Sequence, residues 1–297
     1  MHFNACRILT HTLNDHYKVS GNTIYHLAQF GFLKVSGIDA RKFLQGYTTC
    51  ELPADESEAK IGAICNIKGR MLTSFIVIRQ GDDLILRMPK ALVAITLKFL
   101  SKYIVFSKAK LEDISERLAC YGVIESTSNA FLHVVNSTIG IEIHLKNRIE
   151  HWRSTPLDEV ELNCGAWHQA ELSEDLAWVT EETSELFLPQ MLNYHLIDAV
   201  DFKKGCYLGQ EIVARMQYRG TLKRRLHRIT SDRDYAPGTT LSPHGQVVAS
   251  APTTAPTIAP GGYQILAVLE NHSVSSTPIQ FDDGYDSIAE LIGNPTA

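Results

Sequence analysis

The residue best placed for chemistry in this chain is Cys206, because of what surrounds it: Asp201-Phe202-Lys203-Lys204-Gly205-Cys206-Tyr207-Leu208-Gly209-Gln210-Glu211. A cysteine attacks electrophiles or ligates soft metals only as its thiolate, so its neighbours decide what it can do. Gly205 and Gly209 permit tight backbone geometry on either side of it. Gln210 to Tyr218 reads as a helix of about two turns, with Glu211 and Arg215 spaced to pair at i, i+4. Cys206 is therefore expected just ahead of a helix N-terminus. Free amides there, with Lys203 and Lys204 close by, favour the charged thiolate. Spacing alone leaves two readings open, a reactive thiol and a buried inert one.

The other five cysteines, Cys6, Cys50, Cys65, Cys120 and Cys164, lack such a setting, and no two of the six form a C-x-x-C pair. That argues against a structural zinc site or a redox dithiol, and no metal site is expected. A second chemical feature follows Cys206. Lys203, Lys204, Arg215, Arg219, Lys223, Arg224, Arg225 and Arg228 are opposed only by Glu211. Such a cluster suits an anion: a carboxylate, a polyanionic tail or an RNA phosphate. It equally suits a solvated face with salt bridges.

The elements that must position these groups are legible in the hydrophobic pattern. Residues 1–20 are polar and His-rich and read as a loose arm. Ile24 to Val35 reads as a short strand pair around Gly31, followed by a short helix capped by Ser36 or Gly37 and ended by Gly46. Ala59 to Cys65, Met71 to Arg79 and Leu84 to Met88 read as a three-strand meander with turns at 66–70 and 80–83. Pro89 then opens an amphipathic helix to about Tyr103. Cys120 to Ile124, Leu132 to Val135 and Ile141 to Leu145 predict a second sheet, and Trp167 to Trp178 turns helical. From Thr221 onward short strands dominate: Leu226 to Thr230, Gln246 to Ala249, Gln264 to Leu269 and Pro278 to Phe281. They are interrupted by a Pro/Thr/Gly loop over 249–262. The fold class is α+β, with two sheet domains over 1–110 and 111–220 and a small C-terminal β-barrel over 221–297.

Composition bounds the rest. Hydrophobic residues make up 44% and charged residues 21% of the 297, with a formal net charge of −5. That is ordinary for a globular protein and unlike a nucleic-acid binder as a whole. The N-terminus lacks the apolar core of a secretory signal, and no apolar run reaches the length of a membrane span. A reducing, cytoplasmic setting with free thiols is expected.

Lys204 to Glu211 resembles the K-G-C-aromatic-x-G-Q-E signature of the YgfZ family, itself related to the glycine-cleavage T-protein, an aminomethyltransferase. Gly37 to Gly46 is similar to that family's G-x-D-A-x-x-F-L-Q-G segment. Asn66 to Arg70 is similar to its K-G-R/K hairpin turn, and Phe187 to Gln190 to its F-I/L-P-Q segment. Order and spacing agree from near residue 22 onward. The resemblance implies a T-protein-like ring of three domains around a channel that holds tetrahydrofolate. It implies a role in maintaining iron–sulfur enzymes, including those that modify tRNA. Cys206 is then the working thiol, with Lys204 as its catalytic neighbour, contacting a transient cluster shared with a partner enzyme or cluster carrier, and Tyr207, Gln210, Glu211 and Arg215 are implied as cofactor-binding positions. Two aromatic positions are implied to face the folate, Phe30 (where the family can show Trp) and Trp167. A monomer with only an indirect link to tRNA is expected.

Two other functions stay on the table. A folate-dependent aminomethyl or one-carbon transferase would need a catalytic carboxylate. The T-protein carries an acidic pair after the hairpin turn, where this chain has Thr73 and Ser74. Neither can act as a general base near neutral pH. The third reading is an RNA-binding module acting through the 203–228 basic cluster.

Overall fold

The computed structural model describes residues 23–125, 131–242, 245–253, 262–271, 279–281 and 288–291. The arm expected over 1–20, Cys6 within it and most of the Pro/Thr/Gly loop lie outside the described residues.

Two five-stranded antiparallel sheets and a closed barrel make up the molecule. The first sheet contains the predicted meander: β3 (Ala59–Cys65), β4 (Met71–Gln80) and β5 (Asp83–Pro89), continued by β2 (Phe30–Ser36) and β6 (Lys110–Asp113) in the order β3-β4-β5-β2-β6. Helices α1 (Ala40–Gln45) and α2 (Lys90–Ser101) cover one face. Residue alternation divides β4 between two cores. Phe75 and Val77 join Phe43, Leu44, Val93 and Leu100 on the helix side. Ile76 and Ile78 face the other way, into a core shared with the second sheet. A strand buried on both faces reads as a continuous apolar run, which is why Met71 to Ile78 shows so few polar residues.

The second sheet is β7 (Ala119–Ile124), β8 (His133–Ser137), β9 (Gly140–His144) and β10 (Arg148–Arg153), with β1 (Ile24–His26) added at its edge. Here the structure corrects the sequence reading. β1 and β2 do not pair around Gly31. β1 pairs with β7, Ile24 opposite Val123, while β2 runs through Gly31 and pairs with β5 and β6. Gly31 is needed for close packing: a Cβ there would stand 2.7 Å from Ser115 Oγ. The α1 cap also shifts. Asp39 precedes the helix, and its carboxylate accepts the Lys108 amide at 2.7 Å. Helix α3 (Gly165–Ser173) ends earlier than expected, leaving Leu176 to Val179 as buried irregular chain.

Helix α4 (Gln210–Arg219) leads into the barrel: β11 (Arg224–Ser231), β12 (Thr240–Ser242), β13 (Gly245–Pro252), β14 (Tyr263–Glu270), β15 (Ile279–Phe281) and β16 (Ile288–Leu291). It closes where Ile229 on β11 meets Leu291 on β16. Among the described residues no helix is long and apolar enough to cross a membrane.

A buried ion pair ties the two sheets together. Arg87 on β5 points off the meander toward Glu150 on β10, and both side chains are fully buried. Arg87 Nε donates to Glu150 Oε2 at 3.0 Å, and a second guanidinium nitrogen reaches Oε1. Trp152 Nε1 donates to the same carboxylate at 3.0 Å. Breaking a buried pair strands one charge without compensation. Glu150→Gln is therefore expected to cost about 3–5 kcal/mol in urea unfolding, and a double change to apolar residues at 87 and 150 to recover most of that. A single-variant loss below about 1 kcal/mol would contradict the assigned role.

Candidate functional site

The four sequence motifs, scattered from residue 37 to 211, meet at one place. The backbone turns at Gly69 (φ +71°) and at Gly209 (φ +84°), and the two glycines face each other. A Cβ on Gly209 would stand 3.1 Å from Gly69 Cα and 2.4 Å from Asn66 O. Neither position tolerates a side chain, because the hairpin turn and the start of α4 touch backbone to backbone. The Phe187–Gln190 segment closes the same knot. Met71 N donates to Phe187 O at 2.9 Å, and Gln190 Nε2 donates to Val213 O inside α4 at 2.7 Å.

The loop carrying Cys206 is moored to the turn that follows α1. Lys204 Nζ donates to the carbonyls of Gln45, Thr48 and Cys50 at 2.9, 2.7 and 2.8 Å. Thr49 Oγ1 donates to Ala199 O at 2.7 Å, and Leu208 N donates to Gly46 O at 3.0 Å. The Asp201 carboxylate accepts the amides of Lys203 and Lys204 at 2.7 and 3.1 Å, which shapes the turn. Lys204 is thus a buried mooring cation. The sequence reading set its ammonium beside the Cys206 thiol, but no hydrogen bond joins the two. Burial pulls the Lys204 ammonium down to about 8. Its aliphatic stem brings the charge within 5.2 Å of the Tyr207 ring centre, and burial pushes the Tyr207 phenol up.

Cys206 itself is exposed, three residues ahead of the Gly209 cap. It opens on a cleft of about 470 Å³ lined by Lys42, Phe43, Tyr47, Tyr103, Phe106 and Tyr207, among others. The other described cysteines are different. Cys50, Cys65 and Cys120 are buried, and burial raises each thiol out of the range where thiolate forms near neutral pH. Cys164 is half-buried, with its thiol donating to His26 O.

A second cavity, of about 320 Å³, lies where both sheets' units and the barrel meet. Gln29 and Phe30 come from the first unit, His168, Glu171 and Trp178 from the second, and Tyr235 and Ser250 from the barrel. The Arg87 guanidinium lies over the Phe30 ring at 3.9 Å and over Trp178 at 4.3 Å, so the ion pair between the sheets also fixes the two aromatic walls. Trp178 Nε1 donates to Glu171 Oε1 at 2.9 Å. The Ser250 hydroxyl, at the cavity wall, has no hydrogen-bond partner among the described residues.

The structure therefore divides the predicted residues. Phe30 lines the central cavity. Trp167 does not: it is wholly buried, its ring so close to Gly122 that a Cβ there would stand 2.4 Å away. Cys206 and Tyr207 line the other cleft. Glu211 and Arg215 are exposed on α4, and Gln210 is half-buried. The basic cluster is broken up, because Lys204 is buried, Arg224 pairs with Glu270 and Arg228 pairs with Asp175. Trp178, Glu171 and the Arg87–Glu150 pair were missed. Arg87 did leave a signal, as a lone charge inside the apolar run Leu84-Ile85-Leu86-Arg87-Met88, whereas Glu150 stands among Arg148, His151 and Arg153 and carried none. Thr73 and Ser74, the transferase positions, are fully buried, and Ser74 Oγ accepts the Val179 amide at 2.8 Å.

No family model matches the chain. It is 31% identical over 232 residues to the tRNA-modifying protein YgfZ of Colwellia psychrerythraea, covering 70% of this chain and 71% of that protein. It is 28% identical over 260 residues to the tRNA-modifying protein YgfZ of Photobacterium profundum, covering 80% and 78%. Among solved structures, the glycine cleavage system aminomethyltransferase T from Bartonella henselae superposes with a TM-score of 0.69 over 91% of this chain and 84% of that one, at 11% identity. The shared feature is the fold, which is the T-protein fold.

Replacing Lys204 by Met leaves three carbonyls without their donor, at an expected cost of about 2–4 kcal/mol in urea unfolding. The folded chain releases the Lys204 proton near pH 8, well below the ordinary 10.5 of the unfolded chain. Between those values the unfolded state holds the extra proton, so stability rises with pH. The gap between wild type and Lys204→Met should widen from about pH 8 towards 10.5. A gap that narrows there would mean that the fold raises the Lys204 pKa instead of lowering it.

Proposed function

Because this chain belongs to the YgfZ family, we propose that it is a cytoplasmic accessory protein of tRNA modification that binds tetrahydrofolate in the central cavity and presents Cys206 to iron–sulfur partners. The observation that carries this reading is the central cavity itself, with two aromatic walls, a carboxylate and a hydroxyl without a partner among the described residues, contributed by three different units. A pterin has a flat face and a guanidine-like edge. Phe30 and Trp178 suit the face, and the Glu171 carboxylate suits the edge, since a carboxylate accepts two parallel N–H bonds from such a group. When bound, the folate supplies one-carbon chemistry; the chain's own residues hold and orient it. Trp178 takes the role that the sequence reading gave to Trp167.

Cys206 serves a different step. Among the described residues no group of three or more His, Cys, Asp and Glu is close enough to hold a metal ion. One thiolate cannot complete an iron–sulfur site, so a cluster contacted by Cys206 keeps its other ligands on the partner. The transferase reading is disfavoured by Thr73 and Ser74, which supply no carboxylate where the T-protein has its acidic pair.

Titration calorimetry with tetrahydrofolate tests the cavity. Trp178→Ala should weaken binding about tenfold or more, as loss of an aromatic stacking wall does. Glu171→Gln should weaken it, and Cys206→Ser should leave it unchanged. In cells lacking the native protein, Cys206→Ser should fail to restore methylthiolated tRNA nucleosides. Wild type that binds no tetrahydrofolate at millimolar concentration ends the folate reading.

A further inference from the structure

The Cys206 cleft has a composition that neither folate nor a lone thiol explains. Its wall is a run of rings: Phe43 to Tyr47 at 5.0 Å between centroids, Tyr47 to Tyr103 at 5.1 Å, and Tyr103 to Phe99 at 5.6 Å. At the rim Phe106 is 99% exposed and Tyr103 40% exposed. A single exposed phenylalanine is ordinary, but Tyr103, Val105 and Phe106 stand exposed together at one cavity rim, and such a grouping marks a binding surface. The segment Lys98-Phe99-Leu100-Ser101-Lys102-Tyr103-Ile104-Val105-Phe106-Ser107-Lys108-Ala109-Lys110 holds four lysines and no acid. All four are exposed, as are Lys42 across the cleft and Lys203 on the Cys206 loop. None of the six takes part in a described ion pair, whereas Lys34, Lys60 and Lys90 on the same unit do. The one acid on the cleft wall, Asp39, already holds the Lys108 amide.

Flat exposed rings interleaved with unpaired lysines form the surface that single-stranded nucleic acid needs: stacking platforms for bases and cations for the backbone. We propose that this cleft docks a single-stranded loop of RNA, with bases stacked on Tyr103 and Phe106, phosphates on Lys42, Lys102 and Lys108, and the Cys206 thiol facing the nucleotide held there. The inference rests on the Cys206 end of the reading above and is independent of folate. It differs from an RNA contact through the basic run after Cys206, where Arg224 and Arg228 are spent on ion pairs within the chain. Exposed Val105 and Ile38 would suit a protein partner too. The lysine-rich, acid-free rim and the relatives' name as tRNA-modifying proteins favour RNA.

The test is fluorescence anisotropy with a labelled RNA hairpin bearing a single-stranded loop of about seven nucleotides, beside a fully paired duplex of the same length. The hairpin should bind more tightly than the duplex. Phe106→Ala, at a side chain too exposed to support the fold, should weaken hairpin binding about five- to a hundredfold. Lys102→Gln with Lys108→Gln should lower the slope of log affinity against log salt by roughly 1.4. Bound hairpin should slow iodoacetamide labelling of Cys206, read by peptide mass mapping. Three results would each overturn the proposal. One is no hairpin binding at low salt. The second is hairpin and duplex binding alike with Phe106→Ala silent. The third is loss confined to Arg215→Gln and Arg219→Gln, which moves the contact to α4. Phe106→Ala that abolishes tRNA modification in cells while hairpin affinity is unchanged assigns the cleft to a protein and also overturns it. Tetrahydrofolate calorimetry on the same variants separates the two readings, since Phe106→Ala should bind folate as wild type does.

Discussion

Two opposite charges sealed between two sheets set the terms for the rest of this molecule. Arg87 and Glu150 cannot reach water, so each must find the other, and they can do so only when β5 and β10 lie in one relative position. An apolar interface tolerates small slips. This one does not, because a shift of one residue would turn either charge into the opposite face of its sheet. The same guanidinium lies over Phe30 and Trp178. Sheet alignment and the shape of the central cavity are thus one constraint, and the barrel closes the cavity from the third side.

The second organising contact lies at the Cys206 loop. The motifs that match the family are far apart in the chain, yet each is explained by its place in this knot. Gly69 and Gly209 are needed for backbone contact, Gln190 holds a carbonyl of α4, and Gln45 and Gly46 offer carbonyls to Lys204 and Leu208. The motif that looked like a chemical centre is largely a mooring, and within it Cys206, Tyr207 and Leu208 line the open cleft. Holding and presenting are divided among adjacent residues of one loop.

Much of this was legible in the sequence. The meander, α2, the barrel strands and the Gly209-capped helix follow from period-two and period-3.6 patterning with glycine at the turns. The family resemblance indicated three units around a cavity. What escaped has physical reasons. Trp178 lies in irregular buried chain with no period to mark its direction, while Trp167 was indicated by the family resemblance, counted back from Pro189. Adjacency in sequence does not give side-chain direction, so Lys204 looked like a partner of Cys206 when it points into the first unit. Gly31 looked like a turn because close packing and tight turning both select glycine. The pairing of β1 with β7 is a long-range fact that local pattern cannot contain.

That last pairing bears on how the molecule comes into being. β1 leaves the ribosome early but has no partner until β7 follows, and the first unit receives its Lys204 cation only after 156 further residues from Thr48. β1 precedes every strand of the first sheet yet belongs to the second, so the second sheet cannot be completed until β10, ending at Arg153, has been made. Contacts of such sequence separation make folding slow, because loop closure must precede any reward from packing. Until β7 has emerged, β1 is an unpaired strand on the nascent chain, an exposed edge of the kind that favours misassociation.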